Sequence, residues 1–363
     1  MENEHMRVYN FSAGPSMLPL PVLEKVKSQL TDYNGTGMSV MEMSHRSKPY
    51  QEINDKAESL LRELLSVPEE YDIIFVQGGA STQFEAVPLN LGTNKKADYV
   101  VTGNFAKKAF KEAGKFTDAV CVASSEDKNF TYIPKVDASS FRKDADYVHI
   151  CFNNTIFGSH WSYIPDTAGV PLVADMSSCI LSEEIDVKKF GVIYAGAQKN
   201  VGPAGVTIVI VRKDMQDKCQ SICPTMLKWS TQTKEKSLYN TPPCWSTYVA
   251  MEVFQYLKDN GGIKAMHKIN VEKAGLLYDF IDNSDFYNNG VAKDDRSLMN
   301  VPFVTRDPDT DAKFIAEAAK AGFVSIKGHR LVGGMRASIY NAMPVEGVKK
   351  LVEFMKKFEL ENK

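Results

Sequence analysis

A repeated alternation of strands and helices is the feature that most limits the folds open to this chain. From Tyr99 the sequence runs through a strand (DYVVTG), a helix (FAKKAFKEAG), a strand (AVCVAS) and, further on, the strand YVHICF. This order is typical of β-α-β units, in which helices cover both faces of a parallel sheet. The sequence therefore predicts a three-layer α/β/α domain built on a parallel sheet.

The chain changes character after residue 262. A long predicted helix is followed by short strands and helices, and the chain closes with an amphipathic helix. A length of 363 residues is enough for two domains. We therefore expect a large α/β domain over residues 16–262 and a smaller α+β domain formed by residues 1–15 and 263–363.

Lys199 lies in a tight turn between two predicted strands, within the segment IYAGAQKNVGPAGVTIVIVR. Glycine and alanine residues flank the lysine and let a ligand approach the backbone closely. Most lysines near strand ends are solvated surface charges. Here the small neighbours, and the lack of a nearby Asp or Glu, instead suit a lysine that can lose its proton and attack a carbonyl group.

A second predicted core strand, VPLVAD, ends in a carboxylate at Asp175. In open α/β sheets, ligands bind at the carboxyl ends of the strands. A helix cap is the ordinary alternative for an aspartate in this position. Together with Lys199, however, Asp175 forms the pair that pyridoxal 5′-phosphate (PLP) enzymes need. The lysine attaches the cofactor covalently, and the carboxylate keeps its pyridine nitrogen protonated.

The segment GGAST, from Gly78 to Thr82, follows a predicted strand and opens a predicted helix. Backbone N–H groups at a helix start can bind a phosphate group. A plain strand-to-helix turn is an equally good interpretation of this segment alone. It lacks the ending of a nucleotide P-loop, and no G-x-G-x-x-G motif follows the first strand, which disfavours a nucleotide-binding α/β protein.

Two cationic pairs, His45-Arg46 and His329-Arg330, lie in segments rich in glycine and serine, and Arg336 follows the second pair. Exposed arginines are usually solvated, so each pair alone is a weak indication. Together they suit a substrate with a dianion at one end and a carboxylate at the other, because the guanidinium fork matches the geometry of both groups.

Composition argues against several other classes of protein. A net charge of −2 gives no basic surface for nucleic acid. The longest aliphatic run is about six residues, too short to span a membrane. The six cysteines are scattered and the six histidines show no metal-ligand spacing, so we expect reduced thiols and no metal site. No apolar leader opens the sequence, and we expect a cytoplasmic protein.

Five segments carry a resemblance that runs from about Tyr9 to Phe358: NFSAGPSMLP, SVMEMSHRS, AGAQKNVGPAGVTIVIVR, YNTPP and KGHRLVGGMRASIYNAMP. They resemble phosphoserine aminotransferases, a class-V family of the fold-type I PLP-dependent aminotransferases. The resemblance implies the PLP-dependent transferase fold with a smaller α+β C-terminal domain. It also implies a homodimer with shared active sites.

The resemblance assigns roles at the cofactor. Lys199 carries PLP and Asp175 contacts the pyridine nitrogen. The other implied cofactor contacts are Ala80 and Ser81 at the phosphate, Phe105 against the ring, Thr155 and Gln198 as hydrogen-bonding groups, and Asn240 and Thr241 at the phosphate of the partner subunit. Core packing is the ordinary alternative for Phe105, and a simple connector is the alternative for the segment YNTPP.

Two of these positions differ from some relatives of the family. Ala80 and Ser81 stand where some members carry Gly-Arg, so we expect this chain to lack one cationic contact to the substrate. Phe105 stands where many carry tryptophan, and a phenylalanine stacks with less area.

For the substrate, the resemblance assigns the α-carboxylate to Arg336. It assigns the distal phosphate or γ-carboxylate to His45, Arg46, His329 and Arg330. One pocket would then accept phosphoserine and glutamate in turn.

The expected reaction is the reversible transamination of O-phospho-L-serine and 2-oxoglutarate to 3-phosphohydroxypyruvate and L-glutamate, a step of serine biosynthesis. One alternative is a related aminotransferase that also acts on 4-phosphohydroxy-L-threonine in vitamin B6 (pyridoxine) synthesis. Another is a catalytically silent PLP-binding protein, which the intact Lys199, Asp175 and Arg336 argue against. A cysteine desulfurase would need a mobile catalytic cysteine, and the sequence indicates none.

Overall fold

The computed structural model describes residues 7–363. Its strands are β1 (Tyr9–Asn10), β2 (Tyr71–Val76), β3 (Lys96–Val101), β4 (Asp118–Ser124), β5 (Tyr147–Cys151), β6 (Leu172–Asp175), β7 (Val192–Gly196), β8 (Thr207–Arg212), β9 (Asn300–Phe303), β10 (Phe323–Val324) and β11 (Met335–Ser338). Its α-helices are α1 (Leu20–Ser28), α2 (Lys48–Leu64), α3 (Gly79–Leu91), α4 (Asn104–Ala113), α5 (Trp229–Lys234), α6 (Cys244–Asp259), α7 (Gly262–Asp282), α8 (Pro308–Lys320) and α9 (Val345–Asn362).

A seven-stranded sheet forms the centre of the molecule, with the strand order β2-β8-β7-β6-β5-β3-β4. Neighbouring strands from β4 to β7 run parallel. Strand β8 runs antiparallel to both β7 and β2, so the sheet is mixed and not wholly parallel as predicted. The reason is the short connection from β7 to β8, since a parallel pair needs a crossover of about a dozen residues or more, usually with a helix.

Helices cover both faces of this sheet. Side chains alternate between the faces along a strand, and in β8 Ile208 and Ile210 pack in one hydrophobic cluster while Val209 and Val211 pack in another. The first cluster contains residues of α2 and α6, and the second contains residues of α3 and α4. The prediction of a three-layer α/β fold is therefore confirmed.

A separate hydrophobic cluster joins α7, α8 and α9 to the antiparallel pair β9 and β11. It also contains Phe11 from the amino-terminal segment. Helix α8 begins at Pro308, because the Asp307 side chain accepts a hydrogen bond from Thr310 N at 2.8 Å and caps the helix. The division into domains at residues 16 and 262 stays a prediction, and residues 1–6 lie outside the described chain.

Within residues 7–363, no helix combines the length and the apolar character needed to cross a membrane.

Candidate active site

A cavity of about 510 Å³ lies at the carboxyl ends of β5, β6 and β7. In an α/β sheet this is the edge where ligands bind. The predicted site residues that line the cavity are Ala80, Ser81, Phe105, Thr155, Asp175, Gln198, Lys199, His329 and Arg336. These residues come from distant parts of the sequence, so the fold itself brings them together.

Lys199 is buried, with 9 % of its surface exposed, and its Nζ atom donates a hydrogen bond to Thr155 Oγ1 at 2.6 Å. The same Nζ lies 5.5 Å from the centre of the Phe105 ring. Burial lowers the pKa of the lysine; the nearby Asp175 carboxylate opposes that effect, and the Arg336 charge adds to it. A lowered pKa supplies the neutral amine that can attack a carbonyl carbon.

The backbone around Lys199 is held by the amino-terminal loop. A Cβ atom at Gly14 would lie 3.3 Å from Gln198 Cγ and 3.4 Å from Lys199 Cγ, so a glycine lets the two segments pack closely. Ser16 N donates a hydrogen bond to Gln198 O at 2.9 Å, and Ser16 Oγ donates one to Lys199 O at 2.5 Å. The lysine therefore projects from a backbone that is fixed on one side.

Asn200 ties the same turn to the C-terminal region of the chain. Its Oδ1 atom accepts a hydrogen bond from Asn341 N at 3.0 Å, and its Nδ2 donates to Ile180 O at 3.0 Å. Asn341 in turn donates from Nδ2 to Leu181 O at 2.8 Å and accepts at Oδ1 from Asn270 Nδ2 at 2.9 Å. We call this set of contacts the Asn200 network. Buried hydrogen-bond networks of this kind fix the relative positions of the segments they join.

Asp175 ends β6 and is buried. Its Oδ1 atom accepts hydrogen bonds from Ser177 N at 2.9 Å and from Ser177 Oγ at 2.6 Å. Within the described residues, its Oδ2 atom accepts no hydrogen bond. Burial raises the pKa of the carboxyl group, and the Ser177 hydrogen bonds and the Lys199 charge oppose that rise. One carboxylate oxygen is thus oriented by the protein, and the other remains available to a cationic ligand atom.

The first turn of α3 faces the cavity with Ala80 and Ser81. The residue before it, Gly78, has a φ of 97°, and a Cβ atom there would lie 1.9 Å from Thr82 Oγ1, so only glycine fits. The first N–H groups of a helix have no partner within the helix and carry its positive dipole end. They therefore suit a phosphate group.

Arg336, on β11, also lines the cavity. Its Nη1 atom donates a hydrogen bond to Thr155 O at 3.2 Å, and its Nε atom is buried without a partner among the described residues. His329 lines the same cavity, where burial, followed by the Arg336 charge, lowers the pKa of its imidazole. An incompletely paired guanidinium beside an empty volume suits a substrate carboxylate.

The remaining predicted site residues do not line this cavity: His45, Arg46, Asn240, Thr241 and Arg330. The Arg46, Arg330 and Thr241 side chains are exposed. Asn240 instead lines a neighbouring cavity of about 230 Å³ with Gln77 and Gly78. Within one protomer, the predicted cofactor-binding residues at the edge of the sheet therefore share one cavity. Of the four predicted distal cations, only His329 lines that cavity.

Sequence reasoning missed several residues of the cavity, among them Ser177, Cys151 and Asn153. The Ser177 hydroxyl orients Asp175 and also accepts a hydrogen bond from Gly196 N at 3.1 Å. A local signal for it exists, because Asp followed two residues later by a backbone donor is a common turn motif. No such signal marks Asn153, which donates to Ser178 Oγ at 2.7 Å and to Asn300 Oδ1 at 3.0 Å across the fold.

The residues of the cavity fit PLP on four counts. Lys199 offers an amine with a lowered pKa, and Asp175 keeps one carboxylate oxygen free of protein donors. Phe105 provides an aromatic face beside the amine, and α3 directs its first turn at the cavity. An aldehyde, a pyridine nitrogen, an aromatic ring and a phosphate are the groups these features complement.

Comparison with known proteins points to the same chemistry. The aminotransferase class-V family profile matches residues 8–351. The chain is 56% identical to a phosphoserine aminotransferase of Bacillus cereus, over 98% of this chain and 99% of that protein. It is 55% identical to one from Listeria monocytogenes, over 97% and 96% of the two chains.

Solved structures with the same fold include a phosphoserine aminotransferase from Bacillus circulans subsp. alkalophilus, at 45% identity and a TM-score of 0.95, covering 98% of this chain and 99% of that one. A PLP-bound phosphoserine aminotransferase from Trichomonas vaginalis is 40% identical with a TM-score of 0.92, covering 96% of this chain and 100% of that one. With these matches over nearly its full length, the chain belongs to the phosphoserine aminotransferase family of class-V aminotransferases.

Proposed function

We propose that this chain catalyses the reversible, PLP-dependent transamination of O-phospho-L-serine with 2-oxoglutarate, which gives 3-phosphohydroxypyruvate and L-glutamate in serine biosynthesis. The observation that carries this proposal is the single cavity in which Lys199, Asp175 and Arg336 meet. These side chains supply an attachment point for the cofactor, a partner for its ring nitrogen and a cation for the α-carboxylate of an amino acid.

PLP would be attached to Lys199, with Asp175 Oδ2 at the pyridine nitrogen and Phe105 against the ring. Thr155 and Gln198 would contribute hydrogen bonds, and the first turn of α3, at Ala80 and Ser81, would bind the phosphate. When bound, the cofactor supplies an electron sink for the charge that develops at the substrate Cα. The buried Asp175 carboxylate favours the protonated ring nitrogen on which that sink depends.

Lys199 would also move the proton of the reaction. With an amino donor bound, the Lys199 amine would act as the general base that removes the proton from the substrate Cα, and Lys199 Nζ would hold that proton for return within the same site. The lowered pKa of Lys199 favours the neutral amine that a general base needs, and Thr155 Oγ1 orients the amine. The second half-reaction, with 2-oxoglutarate, uses the same steps in reverse.

Substrate recognition would use two groups of cations. Arg336, whose Nε has no partner within residues 7–363, would bind the α-carboxylate that every amino donor carries. His329-Arg330 and His45-Arg46 bind the distal anion, which is a phosphate in phosphoserine and a carboxylate in glutamate. Shared anionic ends explain how one pocket serves both half-reactions.

We further propose a homodimer with shared active sites. Asn240 and Thr241 do not line the lysine-bearing cavity of their own protomer, and the Thr241 side chain is exposed, so the loop is free to contact a partner subunit. Large apolar side chains are exposed beside the two loops concerned: Met41 (59 %) near His45, and Tyr239 (44 %) next to Asn240. A closed two-fold arrangement would bury the same side chains on both subunits.

A cytoplasmic location is part of the proposal. The six cysteines, all within the described chain, form no disulfide bond, in keeping with a reducing compartment. Activity on 4-phosphohydroxy-L-threonine in pyridoxine biosynthesis remains the alternative, since the same cations would bind its phosphate. No residue of the cavity specifically favours it.

The test is the visible spectrum of the purified holoenzyme with phosphoserine added. The yellow absorption of the lysine-bound cofactor should disappear, and one molecule of 3-phosphohydroxypyruvate should form for each cofactor that is converted. Subsequent addition of 2-oxoglutarate should restore the colour. Bleaching by alanine but not by phosphoserine would contradict the proposed donor, and bleaching at much lower concentrations of 4-phosphohydroxy-L-threonine would favour the alternative.

A further inference from the structure

A second cluster of ligand-type side chains lies apart from the lysine-bearing cavity. His160, Cys179 and Glu183 each offer one donor atom, and these atoms lie within 4.8 Å of one another. His160 Nε2 and Glu183 Oε1 are 3.0 Å apart. None of the three residues lines the proposed active site. No spacing in the sequence indicates this cluster, because the histidine and the other two residues come from segments separated by β6.

The donor types and their distances suit a small transition-metal ion. Thiolate, imidazole and carboxylate are the ligands of protein zinc sites, at about 2.0–2.3 Å from the metal. Tetrahedral geometry places such ligand atoms about 3.4 Å from one another. The distance between His160 Nε2 and Glu183 Oε1 is 3.0 Å, a little shorter than that value, and all three donor atoms lie within 4.8 Å of one another. The three atoms are therefore close enough to surround one ion after small adjustments of the side chains.

The surroundings of the cluster also suit an ion. The Cys179 side chain is buried, and its thiol has no hydrogen-bond partner in the described part of the chain. The side chains of His160 and Glu183 retain 14 % and 23 % exposure, which leaves a path from solvent. One thiolate and one carboxylate would neutralise a divalent cation, so the buried complex carries no net charge.

A second imidazole, that of His267, is close enough to interact electrostatically with the Glu183 carboxylate. His267 belongs to α7, and its Nδ1 atom is buried without a partner among the described residues. It is therefore a candidate for a fourth ligand.

We propose that His160, Cys179 and Glu183 form a binding site for a divalent transition-metal ion that prefers nitrogen and sulfur ligands, with Zn²⁺ as the best match. Binding displaces the thiol proton of Cys179 to solvent, so that the metal–sulfur bond replaces the S–H bond. With His267 as the fourth ligand, the ion would connect the turn after β6 to α7. The proposal is independent of the transaminase activity proposed above.

The test is a titration of the chelator-treated holoenzyme with Co²⁺, whose d–d absorption in the red reports tetrahedral coordination and is well separated from the cofactor band. We expect one Co²⁺ per chain, displaced by Zn²⁺, and one metal per chain by elemental analysis. Cys179→Ser and Glu183→Gln should each weaken binding at least about tenfold, because even residues behind the ligands often contribute that much. Cys121→Ser, at an exposed cysteine on β4, is the matched control and should bind as the wild type does.

The cofactor band of each variant shows whether it is folded, so a loss of metal binding can be separated from a loss of structure. If Cys179→Ser does not fold, Glu183→Gln decides the question. No bound Co²⁺ in the wild type would overturn the proposal, as would equal binding in Glu183→Gln and wild type. His267→Ala distinguishes a four-ligand site, which it weakens, from a three-ligand site completed by water. Phosphoserine turnover is measured separately and does not enter this decision.

Discussion

The two ends of the proposed active site differ in how much of their structure one protomer supplies. At the lysine end, Lys199 and Asp175 are buried. Lys199 donates a hydrogen bond to Thr155, and Asp175 accepts one from Ser177. At the distal end, Arg46 and Arg330 are exposed and do not line the cavity. The fold of a single chain thus positions the two side chains proposed to act on the cofactor. The side chains proposed to bind the distal anion are not brought to the cavity by that fold alone.

Backbone geometry explains the difference. Asp175 pairs in register with Cys151 on one side and Tyr194 on the other, so the sheet fixes where β6 ends. The distal cations lie in irregular loops whose positions no sheet register determines. Loops adapt to partners and ligands more readily than strand ends do.

The largest expected effect is at the lysine end. Lys199→Ala should abolish the borohydride-reducible link between PLP and the chain, and lower turnover by about 10²–10⁴-fold or more, because it removes both the attachment point and the general base. Mass spectrometry of the reduced protein locates the link. Lys111→Ala, on the exposed side of α4, is the control and should retain it. A link found on another lysine would contradict the assignment of Lys199.

The next effect concerns Asp175 and its support. Asp175→Asn should keep the fold but lower turnover by about 10²-fold or more, because a neutral amide cannot stabilise the protonated ring nitrogen. Ser177→Ala removes one of the two hydrogen bonds to Oδ1 and should lower turnover by about 10- to 100-fold, since a hydrogen bond to a charged group contributes about 1.5–3 kcal/mol. Near-normal turnover in Asp175→Asn would remove this residue from the mechanism. Steady-state kinetics with phosphoserine measures both variants.

At the distal end the effect should be smaller and selective. Arg46→Ala should weaken phosphoserine and glutamate by about 1.5–3 kcal/mol in kcat/KM and leave alanine little changed, because alanine lacks a distal anion. Arg336→Ala should weaken all three donors, since each carries an α-carboxylate. Equal losses for alanine and phosphoserine in Arg46→Ala would reverse the assignment of the two ends.

The smallest effect tests whether the distal groups are shared between subunits. Lys199→Ala and the double variant Asn240→Ala, Thr241→Ala are mixed in equal amounts and allowed to exchange subunits. If the loop serves the partner, each mixed dimer has one intact site, and roughly a quarter of wild-type activity should return under two-fold symmetry. If the loop serves its own subunit, mixing recovers nothing. Full activity of the double variant by itself would show that the loop does not bind the phosphate.

Much of the fold could be predicted because periodicity and turn residues are local signals. The strand–helix alternation indicated the α/β layers, and the small residues around Lys199 indicated a close approach of chain and ligand. The antiparallel direction of β8 was missed because the direction of a strand depends on the connection that precedes it. The apolar pattern of a buried strand does not indicate that direction.

The candidate site divides in the same way. Lys199 and Asp175 could be found because Asp175 ends one core strand, Lys199 follows another, and parallel strands of one sheet end at a common edge. The contacts between Asn153 and Asn300 and between Gly14 and Lys199 join segments that are distant in the sequence. No local sequence pattern around these residues indicates either contact. The cluster of His160, Cys179 and Glu183 was missed for the same reason.

The Asn200 network restricts how the molecule can move during turnover. A rotation of the C-terminal region as a rigid body would have to break the hydrogen bonds from Asn341 to Asn200 and Leu181, or else carry the Lys199 turn along. Because Arg336 lies on β11, shortly before Asn341, the amine and the α-carboxylate contact would travel together. The distance between Lys199 and Arg336 would then stay the same for both substrates. Only the distal loops would change position to fit the different lengths of phosphoserine and glutamate.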